Sequence, residues 1–216
     1  MADPTRREAV ARDLLRIGAV SLRPDDPFTW ASGRLAPVYT DNRLTLGHPD
    51  VRTRLAETFE ALARPLGVDL VAGTATAGIP HAAWLADRLD VAMCYVRSAP
   101  KGHGRGNRIE GPVASGQRTV VVEDLVSTGG SVLSAADALR EAGAAPIAAL
   151  AVFSYGLDGV DAAFADADLP LHTLTDVSTL VRVATADGLL PSDALAVLEA
   201  WRADPSAWST SRGGSA

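Results

Sequence analysis

Apolar runs of strand length alternate through the middle of the chain with stretches whose apolar residues recur every three or four positions. Residues 5–18 carry Ala9, Val10, Leu14, Leu15 and Ile17 on one side, which predicts an amphipathic helix. Residues 50–64 predict a second helix, ended near Pro65 and Gly67. Beyond it come a short buried strand over 69–72, a helix over 79–89 and a strand over 91–96. A clearer strand over 119–123, a helix over 132–142 stopped by Gly143, and a strand over 147–153 follow. Continuously apolar strands separated by helices imply an α/β fold, with a parallel sheet covered by helices on both faces. Residues 21–49 are rich in Pro, Gly, Asp and Asn and read as irregular. Towards the end, 171–174 reads as an edge strand and 192–203 as a helix capped by Ser192. Residues 205–216, which include Trp208, are mostly small and polar and are expected to fray. With no internal repeat or dividing linker, residues 1–216 read as a single domain.

Composition narrows the class. The net charge of -6 argues against a nucleic-acid or membrane-surface partner. No apolar run approaches the roughly 20 residues of a membrane helix, and the opening MADPTRREAV lacks a signal-peptide core. Cys94 is the single cysteine, so an intrachain disulfide is impossible and a cysteine-based metal site implausible. These features predict a cytoplasmic protein. Lys101 is the only lysine among 20 basic residues, the rest being Arg. A lysine there fits a site that wants a compact, flexible ammonium, although chance would also account for it.

The most informative segment is TVVVEDLVSTGGS, residues 119–131. A β-branched run ends in two carboxylates, Glu123 and Asp124. A small, hydroxyl- and glycine-rich turn follows, and then a helix. Ligands of open parallel sheets bind beyond the carboxyl ends of strands. The backbone N–H groups of Ser127, Thr128, Gly129, Gly130 and Ser131 can close around an anion, and the helix dipole points to the same place. Two acids beside a phosphate site point to another task, such as accepting hydrogen bonds from sugar hydroxyls. The Walker-type and dinucleotide glycine fingerprints are both missing from the chain. The competing reading is a tight connection eased by Gly129 and Gly130.

Residues 97–111, RSAPKGHGRGNRIEG, concentrate Arg97, Lys101, His103, Arg105 and Arg108 among four glycines. A glycine-hinged cationic loop after a strand suits a lid over a multiply charged anion. For Arg105 and Arg108 a solvated surface loop is an equal alternative.

VVVEDLVSTGGS resembles the phosphoribosyl pyrophosphate (PRPP) signature of type I phosphoribosyltransferases. The R-x-x-x-K-x-H-G spacing of Arg97, Lys101 and His103 resembles the orotate branch of that family. So do PFTWASGRLAPVYTDNR (27–43) and GTATAGIPHA (73–82), in the same order along residues 10–160. The resemblance implies the type I parallel sheet, with a small hood built from residues 20–45. It implies transfer of the phosphoribosyl group of PRPP to orotate, giving orotidine 5′-phosphate and pyrophosphate in pyrimidine synthesis. Glu123 and Asp124 would then hold the ribose. Leu125, Val126 and residues 127–131 would line the PRPP phosphate site. Arg97, Lys101 and His103 would face pyrophosphate, with Lys101, His103 and Asp124 as the catalytic groups. Mg²⁺ would be carried by PRPP rather than by protein ligands. The loop would reach into a partner's site, which implies a homodimer with shared active sites.

The chain departs from that pattern at Ala31, Ala77 and Ser98, where many relatives have Lys, and in FSYGLD with Tyr155, at the place where many have an Arg that binds the orotate carboxylate. These are read as features of one branch. They leave Ser127, the Ser32–Gly33 backbone, Arg34 or Arg43 to meet the orotate carboxylate, with Tyr39 stacking on the base or packing within the hood. His81 reads as a capping or packing residue, His48 and His172 as structural or exposed, and Trp30, Trp84 and Trp201 as core or interface. Rival readings are transfer to another base, a PRPP-sensing regulator without turnover, and a Rossmann-like cofactor binder.

Overall fold

The computed structural model describes residues 4–30, 32–99, 108–191 and 193–216. Helix α1 (Pro4–Arg16) leads into a segment expected to be irregular. That segment instead holds two short antiparallel pairs and a 3₁₀ turn. Strand β1 (Val20–Leu22) pairs with β4 (Val38–Thr40), and between them β2 (Phe28–Thr29) pairs with β3 (Leu35–Ala36). Strands of two or three residues are too short to show alternation, which is why the pattern missed them. The 3₁₀ turn Asn42–Gly47 follows.

Helix α2 (Pro49–Ala63) starts with Pro at its first position, where the missing N–H costs nothing. Val51, Leu55, Phe59 and Ala63 repeat every fourth residue and are all buried. Strand β5 (Leu70–Thr74), α3 (Gly78–Leu89) and β6 (Ala92–Val96) come next. Then follow β7 (Ile109–Glu110), β8 (Arg118–Val126), α4 (Gly130–Glu141) and β9 (Ala145–Ser154). The sequence pattern missed α5 (Val160–Asp166) and α6 (Val177–Ala186), which flank β10 (Leu171–Asp176). Helix α6 is capped by the Asp176 carboxylate, which accepts from Thr179 N–H at 2.7 Å. Helix α7 (Ala194–Ala203) begins after Asp193. The expected cap Ser192 lies outside the described residues.

The main sheet runs β10-β9-β8-β5-β6-β7. All its pairs are parallel except β6 with the short β7. Both faces are covered, as the apolar runs required. Val120, Val122, Leu150 and Val152 join a core with residues of α1, α2, α3, α6 and α7. Val121, Ala149 and Ala151 join a second core with residues of α4 and α5. The period of two along each strand sorts neighbours onto opposite faces. Each fully buried Leu, Val or Phe contributes about 1.5–3 kcal/mol.

The expectation that 205–216 frays is overturned. Residues Pro205–Thr210 form α8, capped by the Asp204 carboxylate, which accepts from Ala207 N–H at 2.9 Å. Trp208 is only 5% exposed and joins the first core. Arg212 stacks over its indole, 3.9 Å from the ring centroid. One large aromatic in a polar run reaches the core and helps to anchor it.

His81 is buried between Phe59 and Trp84, and desolvation lowers its pKa from 6.5 to about 4. Between those two values the unfolded chain binds a proton that the folded chain refuses. Stability is therefore lost as pH falls from 6.5 towards 4, by at most about 3 kcal/mol. In denaturant titrations across that range, His81→Leu is expected to lose less stability than wild type. Parallel pH profiles for the two proteins would refute this.

Candidate active site

The chain places β5 at the point where strand order reverses. β6 lies to one side of it and β8 to the other. A crevice opens beyond the carboxyl ends of β5 and β8, where ligands of such sheets bind. Gly73 pairs with Val122, so Thr74 and Glu123 stand side by side at its mouth. The Gly78 Cα has no room for a side chain, because a Cβ would sit 2.4 Å from Val122 O and 2.5 Å from Thr74 Oγ1. That close approach seats the Thr76–Ala77 turn against the acids.

Glu123 and Asp124 were expected at the end of a strand. β8 continues past them to Val126, which pairs with Ser154. Glu123 is buried, and its Oε1 accepts Asp124 N–H at 3.1 Å while Oε2 accepts the Ser131 hydroxyl at 3.0 Å. Burial raises both carboxyls above the ordinary carboxylate range. Asp124 raises Glu123 further, and a hydrogen bond to Thr74 opposes this. For Asp124 the opposing influences are hydrogen bonds from Glu123, from backbone N–H groups and the nearby Arg43 charge. The pair is a set of strong acceptors in a low-dielectric place, suited to hydroxyl groups.

After Val126 the chain turns through Ser127 and Thr128. Gly129 has φ +83°, and α4 begins at Gly130. A Cβ on Gly129 would meet Phe164 at 2.5 Å, so only glycine fits. The exposed Thr128, Gly130 and Ser131 surround the open N-terminus of α4, whose free N–H groups and dipole favour an anion.

Two hollows flank this turn. A cleft of about 610 Å³ is lined by Asp124, Asn42, Arg43, Thr76 and Ala77. A second, of about 250 Å³, is lined by Thr74, Arg97, Arg108, Gly130 and Ser131. Acceptors, an anion cradle and guanidinium groups thus converge on one crevice.

Comparison with known proteins places this arrangement. The phosphoribosyl transferase domain family matches residues 48–167. The chain is 53% identical over 205 residues to the orotate phosphoribosyltransferase of Halalkalibacterium halodurans, covering 94% of this chain and 98% of that protein. It is 52% identical over 201 residues to the Bacillus subtilis enzyme of the same name, covering 92% and 93%. The crystal structure of orotate phosphoribosyltransferase from Aeropyrum pernix superposes with a TM-score of 0.72 at 32% identity, covering 84% of this chain and 99% of that one. The chain belongs to the orotate phosphoribosyltransferase family.

Within this family member, the structure gathers most of the residues that the sequence singled out. Glu123, Asp124 and the 127–131 turn lie together. Arg97 reaches the same crevice, with Nη1 3.7 Å from Glu110. Lys101, His103 and Arg105 lie outside the described residues. On the described side of that segment, β6 pairs antiparallel with β7 and Arg97 N–H donates to Arg108 O at 2.8 Å. Arg108 adds two side-chain bonds, donating from Nε to Arg97 O at 2.9 Å and from Nη2 to Ser134 Oγ at 3.0 Å.

Ser32 and Gly33 form the turn joining β2 to β3, with Gly33 at φ +80°. Tyr39 is 45% exposed and packs against Phe28. Of the two Arg candidates, Arg43 is held bidentate by Asp41 at 2.6 and 3.0 Å. Arg34 lines a separate cavity of about 380 Å³ beside Thr128 and Arg202. Tyr155 is a core aromatic, with Trp30, Phe153 and Trp201 ring centroids all within 5.9 Å. Sequence reasoning missed Asn42, whose amide donates to Asp124 O at 2.7 Å, because one polar residue in an irregular stretch gives no signal.

Gly129→Ala forces a side chain into the left-handed region and into Phe164. It is expected to lower stability by about 1–3 kcal/mol. It should also weaken binding of ribose 5-phosphate by calorimetric titration on the order of tenfold or more. Unchanged affinity would remove the turn from the phosphate site.

Proposed function

We propose that this chain transfers the phosphoribosyl group of PRPP to orotate, giving orotidine 5′-phosphate and pyrophosphate. The observation that carries this reading is the Glu123–Asp124 pair, Glu123 buried and Asp124 half-buried, set just before the glycine turn at the strand-order reversal. A diol and a phosphate on one small sugar need acceptors and an anion cradle a few ångströms apart. The curated relatives bear the name of this activity over nearly their whole length.

On this reading Glu123 and Asp124 accept from the ribose hydroxyls and favour positive charge developing on the sugar. Leu125, Val126 and residues 127–131 take the 5′-phosphate. Arg97, Lys101 and His103 meet pyrophosphate as it departs. Ser127, Ser32, Gly33 and Tyr39 receive orotate under a hood built from residues 20–45, and residues 1–216 work as one domain. Positioning and electrostatic stabilisation supply the acceleration, and closure of the loop excludes water. The hard oxygens of Glu123 and Asp124 suit a neighbouring Mg²⁺, which would arrive on PRPP and neutralise its phosphate charge. The chain acts as a homodimer whose loop, with Lys101 and His103, completes the partner's site. Among the described residues no helix is long and apolar enough to cross a membrane, and the reading places the enzyme in the cytoplasm.

The test is the PRPP- and Mg²⁺-dependent loss of orotate, followed by its ultraviolet absorbance. Lys101→Ala is expected to lower kcat roughly 100-fold or more, about 3 kcal/mol, with an unchanged melting temperature. Near-normal turnover in that variant would remove Lys101 from the reaction. PRPP binding by wild type with no orotate consumed would favour another base or a PRPP-sensing regulator.

A further inference from the structure

Residues 20–45 and 205–216 both lie outside the matched phosphoribosyl transferase domain, yet they are built against each other. The buried Ser209 hydroxyl sits between them. It accepts Leu35 N–H at 2.9 Å and donates to Ser215 O at 2.6 Å. Ser215 N–H in turn donates to Gly33 O at 3.0 Å. The fit is tight on both sides. A Cβ on Gly214 would lie 2.5 Å from Ser209 Oγ and 2.6 Å from Leu35 Cγ, and one on Gly33 would lie 2.6 Å from Ser215 Oγ. The turn itself is short, with Trp30 N–H donating to Arg34 O and Gly33 N–H to Trp30 O, each at 2.8 Å.

The same end of the chain fixes the floor beneath that turn. Trp201 packs edge-on against Trp30 and Tyr155. Arg202 donates from Nε and Nη2 to Gly156 O at 2.9 and 2.7 Å, and from Nη1 to Ser178 Oγ at 2.8 Å. Between these anchors lies the cavity of about 380 Å³ that Arg34, Arg202 and Ser206 share with Thr128 of the phosphate turn. A two-strand hairpin of two residues each cannot hold its own shape in water. Its geometry comes from what is bonded to it.

We propose that residues 204–215 are a positioning element of the acceptor-base site, with Ser209 as the residue that sets the Gly33–Leu35 backbone. This rests on the reading above that the Ser32–Gly33 turn receives the base. Ser209 touches neither substrate. It acts through the hairpin, so its loss should weaken the base and spare PRPP.

The experiment compares wild type, Ser209→Ala and Gly214→Val in full-length protein. Gly214→Val retains Ser209 but drives a side chain against both its hydroxyl and Leu35, so it disturbs the same contact by steric means. Both variants are expected to raise KM for orotate on the order of tenfold, with KM for PRPP unchanged. Hydrogen exchange without substrates should show the Leu35 amide protected in wild type and exchanging faster in Ser209→Ala. Orotate turnover by wild type tests the underlying reading, and its absence would fail that reading. An active wild type whose orotate KM is unchanged in both variants would overturn the positioning role. Equal loss towards both substrates would overturn it too, by marking the segment as general support for the fold.

Discussion

Parallel pairing of β5 with β8 is the constraint on which the rest of the site depends. The register that sets Gly73 beside Val122 also sets Thr74 beside Glu123. It brings two loops from distant parts of the chain to one crevice. Both strands are buried on both faces, so neither can slip by one residue without moving its apolar side chains to the wrong core. The register is therefore held by the hydrophobic interior, and the chemistry at the strand ends inherits that rigidity.

This placement creates an electrostatic tension that the site uses. Glu123 and Asp124 are drawn from water next to each other, and burial raises both carboxyls. A few residues on, the start of α4 and the open turn favour negative charge from a ligand. Acceptors and anion cradle would oppose one another on a single ligand group. They agree only on a molecule that carries hydroxyls and phosphate at separate positions. The guanidinium groups of Arg97 and Arg43 line the flanking hollows, Arg97 beside Glu110 and Arg43 held by Asp41.

The N-terminal hairpins and the last helix show a different economy. Neither has enough apolar surface to stand alone, and each completes the other. Trp208 enters the common core, and Ser209 and Ser215 supply the backbone partners that the β2–β3 turn lacks within itself. The β2–β3 hairpin is thus held by both ends of the chain.

The sequence by itself determined the sheet, its parallel character and the central turn. Those features are written in local patterns: apolar runs of strand length, helical periodicity, and acids followed by Ser, Thr and Gly. Periodicity and turn chemistry act over a few residues, so one chain suffices to read them. Only the tertiary structure decided that β8 carries its acids inside the strand. Only it showed that Asn42 braces Asp124, that Arg43 is engaged by Asp41, and that Tyr155 is core. The ordering of 205–216 belongs with these. Its local composition is that of a loose tail, and its order comes from Trp208 and from hydrogen bonds to residues more than 170 positions away. Contacts across such separations leave no trace in local pattern, because they depend on which surfaces folding has already brought together.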